Sequence, residues 1–187
     1  TATTTPLPAT PLPAPLTVIW IGSRSTVPYL TDLFPALEAC HRRQPIRLLV
    51  VSDQPPLSPR IPLDWRPWSE SVEIQALTEA DVGIMPLPDD PWTRGKCGFK
   101  ILQYFAAGIP AVASPVGANR EIITDGGNGL WAGTPAEWET ALARLAADRT
   151  LGRRLGEAGR RTLEERYSLA RLAPALNCLL MDAVNRP

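Results

Sequence analysis

The 187-residue chain has zero formal net charge, and 44% of its residues are hydrophobic. These values exclude the basic excess of a nucleic-acid-binding domain and the polar bias of a disordered chain. Three widely spaced cysteines and one histidine predict neither a disulfide framework nor a zinc site. The length predicts a single globular domain. Because no apolar run reaches the roughly 18 residues needed to cross a membrane, we expect this domain in the cytoplasm.

The first fifteen residues, TATTTPLPATPLPAP, are rich in Thr, Ala and Pro, a composition that disfavours both helix and sheet. We interpret residues 1–15 as a linker and residues 16–187 as the folded domain. Because the chain opens on a linker and without Met, we expect it to be the second half of a longer protein.

Short β-rich runs alternate with helical patterns after the linker. The predicted strands cover residues 17–22, 46–53, 64–68, 81–88, 110–116 and 128–132. The predicted helices cover residues 27–42, 70–80, 98–108, 118–124, 135–147, 150–167 and 168–184. This alternation predicts an α/β fold with a doubly wound, Rossmann-like, six-stranded parallel sheet in the order 3-2-1-4-5-6, followed by extra carboxyl-terminal helices.

The only two lysines of the chain, Lys96 and Lys100, lie close to Arg94, where the loop after strand 4 leads into a helix. In the predicted strand order this loop meets the loop after strand 1, where doubly wound sheets bind ligands. A helix that begins near Gly98 offers free N–H groups to an anion, and a lysine in its first turn is unfavourable without one. The pattern therefore predicts an anion site, with solvated loop lysines as the alternative.

The known phosphate-binding motifs do not fit this segment. No G-x-G-x-x-G follows strand 1, and GKC at 95–97 lacks the hydroxyl residue and the earlier glycine of a P-loop. The sequence therefore argues against a dehydrogenase and against a P-loop enzyme.

The segment RGKCGFKILQYFAAGIPAVASPVGANREIITDGGNGL, residues 94–130, resembles the donor-binding segment of retaining glycosyltransferases of family 4. With SESVEIQALTEADVGIMPL and TVIWIG upstream, the resemblance covers roughly residues 17–170. It implies the carboxyl-terminal domain of a two-domain GT-B enzyme that transfers a sugar, with retention, from a nucleoside-diphosphate sugar. It also implies an amino-terminal domain that binds the acceptor, and no metal or other cofactor.

By matching positions, the resemblance implies that three cations hold the donor diphosphate and stabilise it as it departs: Arg94, Lys96 and Lys100. Three residues after strand 1 are implied to lie beside the phosphates: Gly22, Ser23 and Arg24. The developing charge would be stabilised by fixed cations and helix-terminal N–H groups rather than by acid–base chemistry.

Five further residues are implied to contact the nucleotide sugar. Gly98 lets the backbone approach the diphosphate, Trp68 lies near the nucleobase, and Gln103 meets the ribose. Gly117 and Asn119 are implied to meet the sugar through their backbone N–H groups. The even alternative for this segment is that Arg120 and Glu121 form an ordinary surface pair.

The sequence departs from the family pattern at its two usual glutamates. The Glu-x7-Glu pattern falls on Gly95 and Gln103, so neither carboxylate is present. A neutral amide accepts a hydrogen bond roughly half as strongly as a carboxylate. A non-catalytic nucleotide- or phosphate-binding module therefore stays open, as does a GT-B nucleotide-sugar epimerase, which would need acid–base groups beside the sugar.

Several other features have two interpretations. Trp92 could stack on a sugar or anchor its loop on the core. Asp89 and Asp90 fit a loop beside the sugar better than a metal-binding pair. Arginines between residues 149 and 171 alternate with glutamates and favour a solvated helix face. The apolar segment 168–184 predicts packing on another surface, such as the expected amino-terminal domain, and peripheral membrane association is left open. We expect no nucleic-acid partner.

Overall fold

A computed structural model describes residues 14–184 of the chain. Residues 1–13 of the predicted linker and residues 185–187 of the predicted domain lie outside the described residues. Between residues 14 and 184, no helix combines the length and the apolar character needed to cross a membrane.

Six strands form one parallel sheet in the order β3-β2-β1-β4-β5-β6, which confirms the predicted fold class and strand order. Their bounds are β1 Leu16–Gly22, β2 Ile46–Ser52, β3 Leu63–Pro67, β4 Val82–Met85, β5 Ala111–Ala113 and β6 Gly129–Trp131. In the central register, Leu16 of β1 lies opposite Ile46 of β2, and Val18 lies opposite Val82 of β4. The chain reverses its direction of winding between β1 and β4, as in other doubly wound sheets.

Strands β4 and β5 are shorter than predicted because prolines border them. Pro86 and Pro88 follow β4, while Pro110 and Pro115 lie on either side of β5. A proline has no N–H to donate to a neighbouring strand, so the ladder ends where prolines begin. The residues that follow the two short strands are therefore free to form loops at the carboxyl edge of the sheet.

The helices in chain order are α1 Val27–Thr31, α2 Phe34–Arg43, α3 Glu70–Glu79, α4 Pro91–Arg94, α5 Phe99–Ala106, α6 Asn119–Ile122, α7 Pro135–Ala147, α8 Arg149–Thr162 and α9 Leu169–Val184, with a π-helical turn at Leu163–Tyr167. The single helix predicted over 27–42 is wrong, because Pro35 has no N–H to donate to Thr31 and the chain breaks between α1 and α2. The short helix α4 was not predicted; Asp90 and Thr93 form a capping box that closes it.

Both faces of the sheet are buried, because alternate residues of its inner strands point to opposite sides. On β1, Val18 and Trp20 face the side covered by α2 and α7, whereas Ile19 and Ile21 face the side covered by α3 and α5. The strands therefore read as continuous apolar runs rather than as alternating ones.

Helix α8 packs against the turn that follows α5 through a glycine. A Cβ added at Gly156 would lie 2.0 Å from the carbonyl oxygen of Gly108, whereas one added at Gly152 would approach nothing closer than 3.9 Å. The missing side chain at position 156 therefore sets how closely the two helices approach.

We predict opposite effects for two Gly→Ala substitutions in this helix. Gly156→Ala should lower the free energy of unfolding by about 1–3 kcal/mol, because backbone must move to admit the methyl group. The matched variant Gly152→Ala should keep or raise stability, by up to about 1 kcal/mol, because alanine favours helix. Urea unfolding of both variants measures this difference, and equal stability of the two would contradict the proposed contact.

Candidate functional site

A cleft of about 390 Å³ opens at the carboxyl edge of the sheet, between α3 and α5. Its lining includes Gly22 at the end of β1 and Ser23 after it, Trp68 after β3, and Lys100 and Gln103 of α5. Three separate segments of the sequence therefore bring five of the predicted site residues together. A larger hollow, of about 450 Å³, lies at the opposite edge of the sheet and contains none of the predicted site residues.

Glu73 of α3 joins the two sides of this cleft. Its Oε2 accepts a hydrogen bond from Nε1 of Trp68 at 2.7 Å, and its Oε1 accepts one from Nε2 of Gln103. Glu73 was not predicted from the sequence, because acidic residues are common in the first turn of a helix, where the helix dipole stabilises them. The only available signal was its distance of five residues from Trp68.

Lys100 lies in the first turn of α5, where no side chain caps the helix. It is half-buried, and this burial lowers the pKa of its ammonium group. Lys96 lowers this pKa further by repulsion, while the Glu73 carboxylate opposes the shift. The two lysines therefore lie close enough to interact, and the first turn of α5 concentrates positive charge that a bound anion would stabilise.

Gly98 caps α5 in a conformation that favours glycine. Its φ is +71°, and an added Cβ would lie 2.4 Å from Cδ1 of Ile122. The same Cβ position is 3.3 Å from Oδ1 of Asn119, which is fully buried and donates from Nδ2 to the Ser114 carbonyl at 3.0 Å. Gly98 and Asn119 therefore hold the start of α5 against the loop after β5.

Asn119 and Gly117 connect the loops after β4 and β5 rather than lining the cleft. The backbone N–H of Asn119 donates to the Val116 carbonyl at 3.2 Å, so its contact with a sugar stays a prediction. Gly117 has a φ of +52°, and an added Cβ would lie 2.5 Å from the Arg94 carbonyl oxygen. A side chain at position 117 would therefore push the two loops apart.

Arg94 and Lys96 lie outside the cleft lining, on the loop between β4 and α5. Nε of Arg94 is 2.6 Å from Oδ1 of Asp89, and this guanidinium holds the pKa of the carboxyl below its usual range. Nζ of Lys96 lies 5.7 Å from the ring centre of Trp92, which is 74% exposed. Trp92 therefore does not anchor the loop in the core, and its indole instead makes a cation–π contact with Lys96.

Thr93 anchors this loop to the protein. It is fully buried, its hydroxyl donates to the Pro88 carbonyl at 2.5 Å, and its N–H donates to Oδ1 of Asp90 at 2.8 Å. Asp90 is therefore a helix cap and Asp89 an ion-pair partner. Among residues 14–184, no three His, Cys, Asp or Glu side chains are arranged as metal ligands.

The loop after β1 is tied to the loop after β2. The backbone N–H of Arg24 donates to Oδ1 of Asp53 at 2.6 Å, and Asp53 itself lines the cleft. The exposed Arg24 does not belong to the lining. This link lies beside Gly22 and Ser23, which line the same cleft.

Comparison with known proteins gives a family and a fold. The sequence matches the profile of Glycosyl transferases group 1 over residues 15–148. A search of curated protein sequences found no match.

Several solved structures share the fold. HepE from Anabaena, in complex with UDP and glucose, superposes with a TM-score of 0.75 at 15% identity over 90% of this chain and 48% of that chain. Sucrose-phosphate synthase from Thermosynechococcus elongatus gives a TM-score of 0.71 at 18% identity over 92% of this chain and 47% of that chain. This chain therefore spans about half the length of these two proteins.

A separately crystallised domain matches more evenly. The carboxyl-terminal domain of LpcC, a glycosyl transferase group 1 family protein from Francisella tularensis, gives a TM-score of 0.65 at 18% identity, over 84% of this chain and 89% of that chain. The family profile covers well over half of the present sequence. The chain therefore belongs to the Glycosyl transferases group 1 family, and its fold is that of a carboxyl-terminal GT-B domain.

Proposed function

We propose that this chain is the donor-binding half of a retaining glycosyltransferase and binds a nucleoside-diphosphate sugar in the cleft between α3 and α5. The observation that carries the proposal is the meeting of Trp68, Gln103 and Lys100 in one cleft at the carboxyl edge of a doubly wound sheet. The structures of HepE with UDP and with UDP-glucose, which share this fold, support the choice of ligand.

The cleft offers a side chain suited to each group of such a ligand. Trp68, which is 56% exposed, offers an aromatic surface for the base. Gln103 and Lys100 are three residues apart on one helix face, so they offer a polar group and a cation roughly 5 Å apart along the axis of α5. Base, ribose and diphosphate would follow one another in the same direction.

The electrostatics of the cleft favour an anion in the diphosphate position. Burial and the neighbouring Lys96 both disfavour the charged form of Lys100. A diphosphate bound between the two lysines would offset this unfavourable free energy, because its negative charge stabilises both ammonium groups. Arg94 can join them, because its ion pair with Asp89 is more than half exposed on both sides and such pairs contribute only about 0–1 kcal/mol.

The chemistry follows from where charge develops. The bond between the anomeric carbon and the diphosphate oxygen breaks, and the departing diphosphate keeps the electron pair. The acceptor oxygen bonds to the same face of the sugar, and its hydroxyl proton passes to the departing diphosphate. Lysines and helix-terminal N–H groups that tighten on the departing anion lower the barrier without a metal ion. The acceptor would be held by an amino-terminal domain of the same protein.

Calorimetric titration with UDP, GDP, ADP and their sugar conjugates tests the donor site. We expect one diphosphate to bind with micromolar to low-millimolar affinity, and Lys100→Ala to weaken it roughly 10- to 100-fold, as loss of a charge-assisted hydrogen bond does. Lys96→Ala should weaken it less, because Lys96 lies outside the cleft lining. Chelating agents should leave the affinity unchanged.

The control is Arg154→Ala, which removes an exposed positive charge from α8. If Lys100→Ala and Arg154→Ala weaken binding equally, the diphosphate does not occupy the first turn of α5. If the folded chain binds none of the ligands, a domain without nucleotide-binding activity of its own becomes the better interpretation.

Cysteine labelling locates the ligand independently. Cys97 is exposed between Lys96 and Gly98, whereas Cys40 is buried and its pKa is raised to about 11 by that burial. In the Cys178→Ser variant, iodoacetamide should therefore react mainly at Cys97. The bound nucleoside diphosphate should slow this reaction several-fold, because it covers the start of α5.

The Cys97→Ser variant provides the control for labelling, since its exposed thiol, Cys178, belongs to α9. Its alkylation rate should not change when nucleotide is added. Calorimetric binding with an unchanged rate at Cys97 would place the ligand elsewhere on the protein.

A further inference from the structure

Glu73 contacts residues from two different parts of the cleft, although nothing in the sequence pattern assigns it a role. The indole of Trp68 and the amide of Gln103 both donate to its carboxylate, one to each oxygen. Burial lowers the pKa of Lys100, and the same carboxylate opposes that shift. Three residues that the family resemblance implies for base, ribose and phosphate thus interact with a single acidic side chain from α3.

We infer that Glu73 is the residue that selects a ribonucleotide, by accepting hydrogen bonds from the vicinal hydroxyls of the ribose. This inference rests on the proposed function and deepens it. It moves the ribose contact from Gln103, where the family resemblance implied it, to a carboxylate on a different helix.

The hydrogen-bond capacity of the carboxylate fits two hydroxyls. A carboxylate accepts about four hydrogen bonds, two at each oxygen. Trp68 and Gln103 use one position on Oε2 and one on Oε1. Each oxygen therefore retains one acceptor position, and Glu73 lines the cleft together with Trp68 and Lys100.

The two donors also hold the carboxylate in place. A free glutamate side chain loses rotamer freedom when it binds a ligand. Here the indole and the amide fix both oxygens before a ligand arrives, and α3 itself is capped by Ser69, whose hydroxyl accepts from the Val72 N–H at 3.2 Å. Gln103 is therefore a positioning residue, since its amide orients the group that would contact the ligand.

The test compares ribonucleoside and 2′-deoxyribonucleoside diphosphates of the base that binds best, by calorimetry on the 187-residue chain. Both ligands lack a donor sugar, so the only diol that differs between them is that of the ribose. The unaltered protein should prefer the ribonucleotide by at least about tenfold, as expected for a charge-assisted hydrogen bond. Glu73→Gln should reduce this preference to less than about threefold.

Two further variants separate recognition from structure. Glu70→Gln removes a carboxylate from the same helix turn and should leave the preference unchanged. Gln103→Ala keeps the Glu73 carboxylate and removes the amide that the family resemblance aligns with the ribose, so this variant should still prefer the ribonucleotide. Loss of the preference in Gln103→Ala but not in Glu73→Gln would place the ribose contact on Gln103 and overturn the inference.

The outcomes are distinct. If the unaltered chain binds both ligands equally, or if Glu73→Gln weakens both by the same factor, the inference is overturned while the donor-site proposal stands. If the folded chain binds neither ligand, the proposed function and this inference fail together.

Discussion

The packing of α5 on β4 is the contact on which the site depends. An added Cβ at Gly83 of β4 would lie 2.3 Å from the ring of Tyr104, so the ring occupies space that only glycine leaves. The Tyr104 hydroxyl donates to the Ile84 carbonyl at 3.1 Å, and this buried anchor fixes the helix on the sheet. Because Lys100 and Gln103 share another face of the helix, the same contact presents both to the cleft.

Charge in the cleft is balanced by residues from different elements. Lys96 and Lys100 repel each other at the start of α5, and Glu73 from α3 partly compensates. A carboxylate next to a lysine could neutralise an anion site, but the hydrogen bonds from Trp68 and Gln103 hold both oxygens of Glu73, which in our proposal face the nucleoside. Separated positions for a neutral diol and for an anion are what a nucleotide requires.

The sequence predicted most of the fold because its signals are local. Apolar runs and helical spacing identified every strand and most helices, and the alternation of the two predicted the strand order. The errors arose where a single residue overrides periodicity. Pro35 splits one predicted helix into two, and the Asp90–Thr93 capping box makes a helix from a predicted loop.

The sequence by itself determined that this chain forms a doubly wound sheet and places lysines at the start of a helix, because periodicity and residue type are properties of neighbouring residues. Only the tertiary structure decided that Glu73 meets Trp68 and Gln103, and that Arg94 pairs with Asp89 outside the cleft. Glu73 and Gln103 are 30 residues apart and lie on different helices. No local pattern records that contact, since it exists only after β1 and its neighbours bring the two helices together.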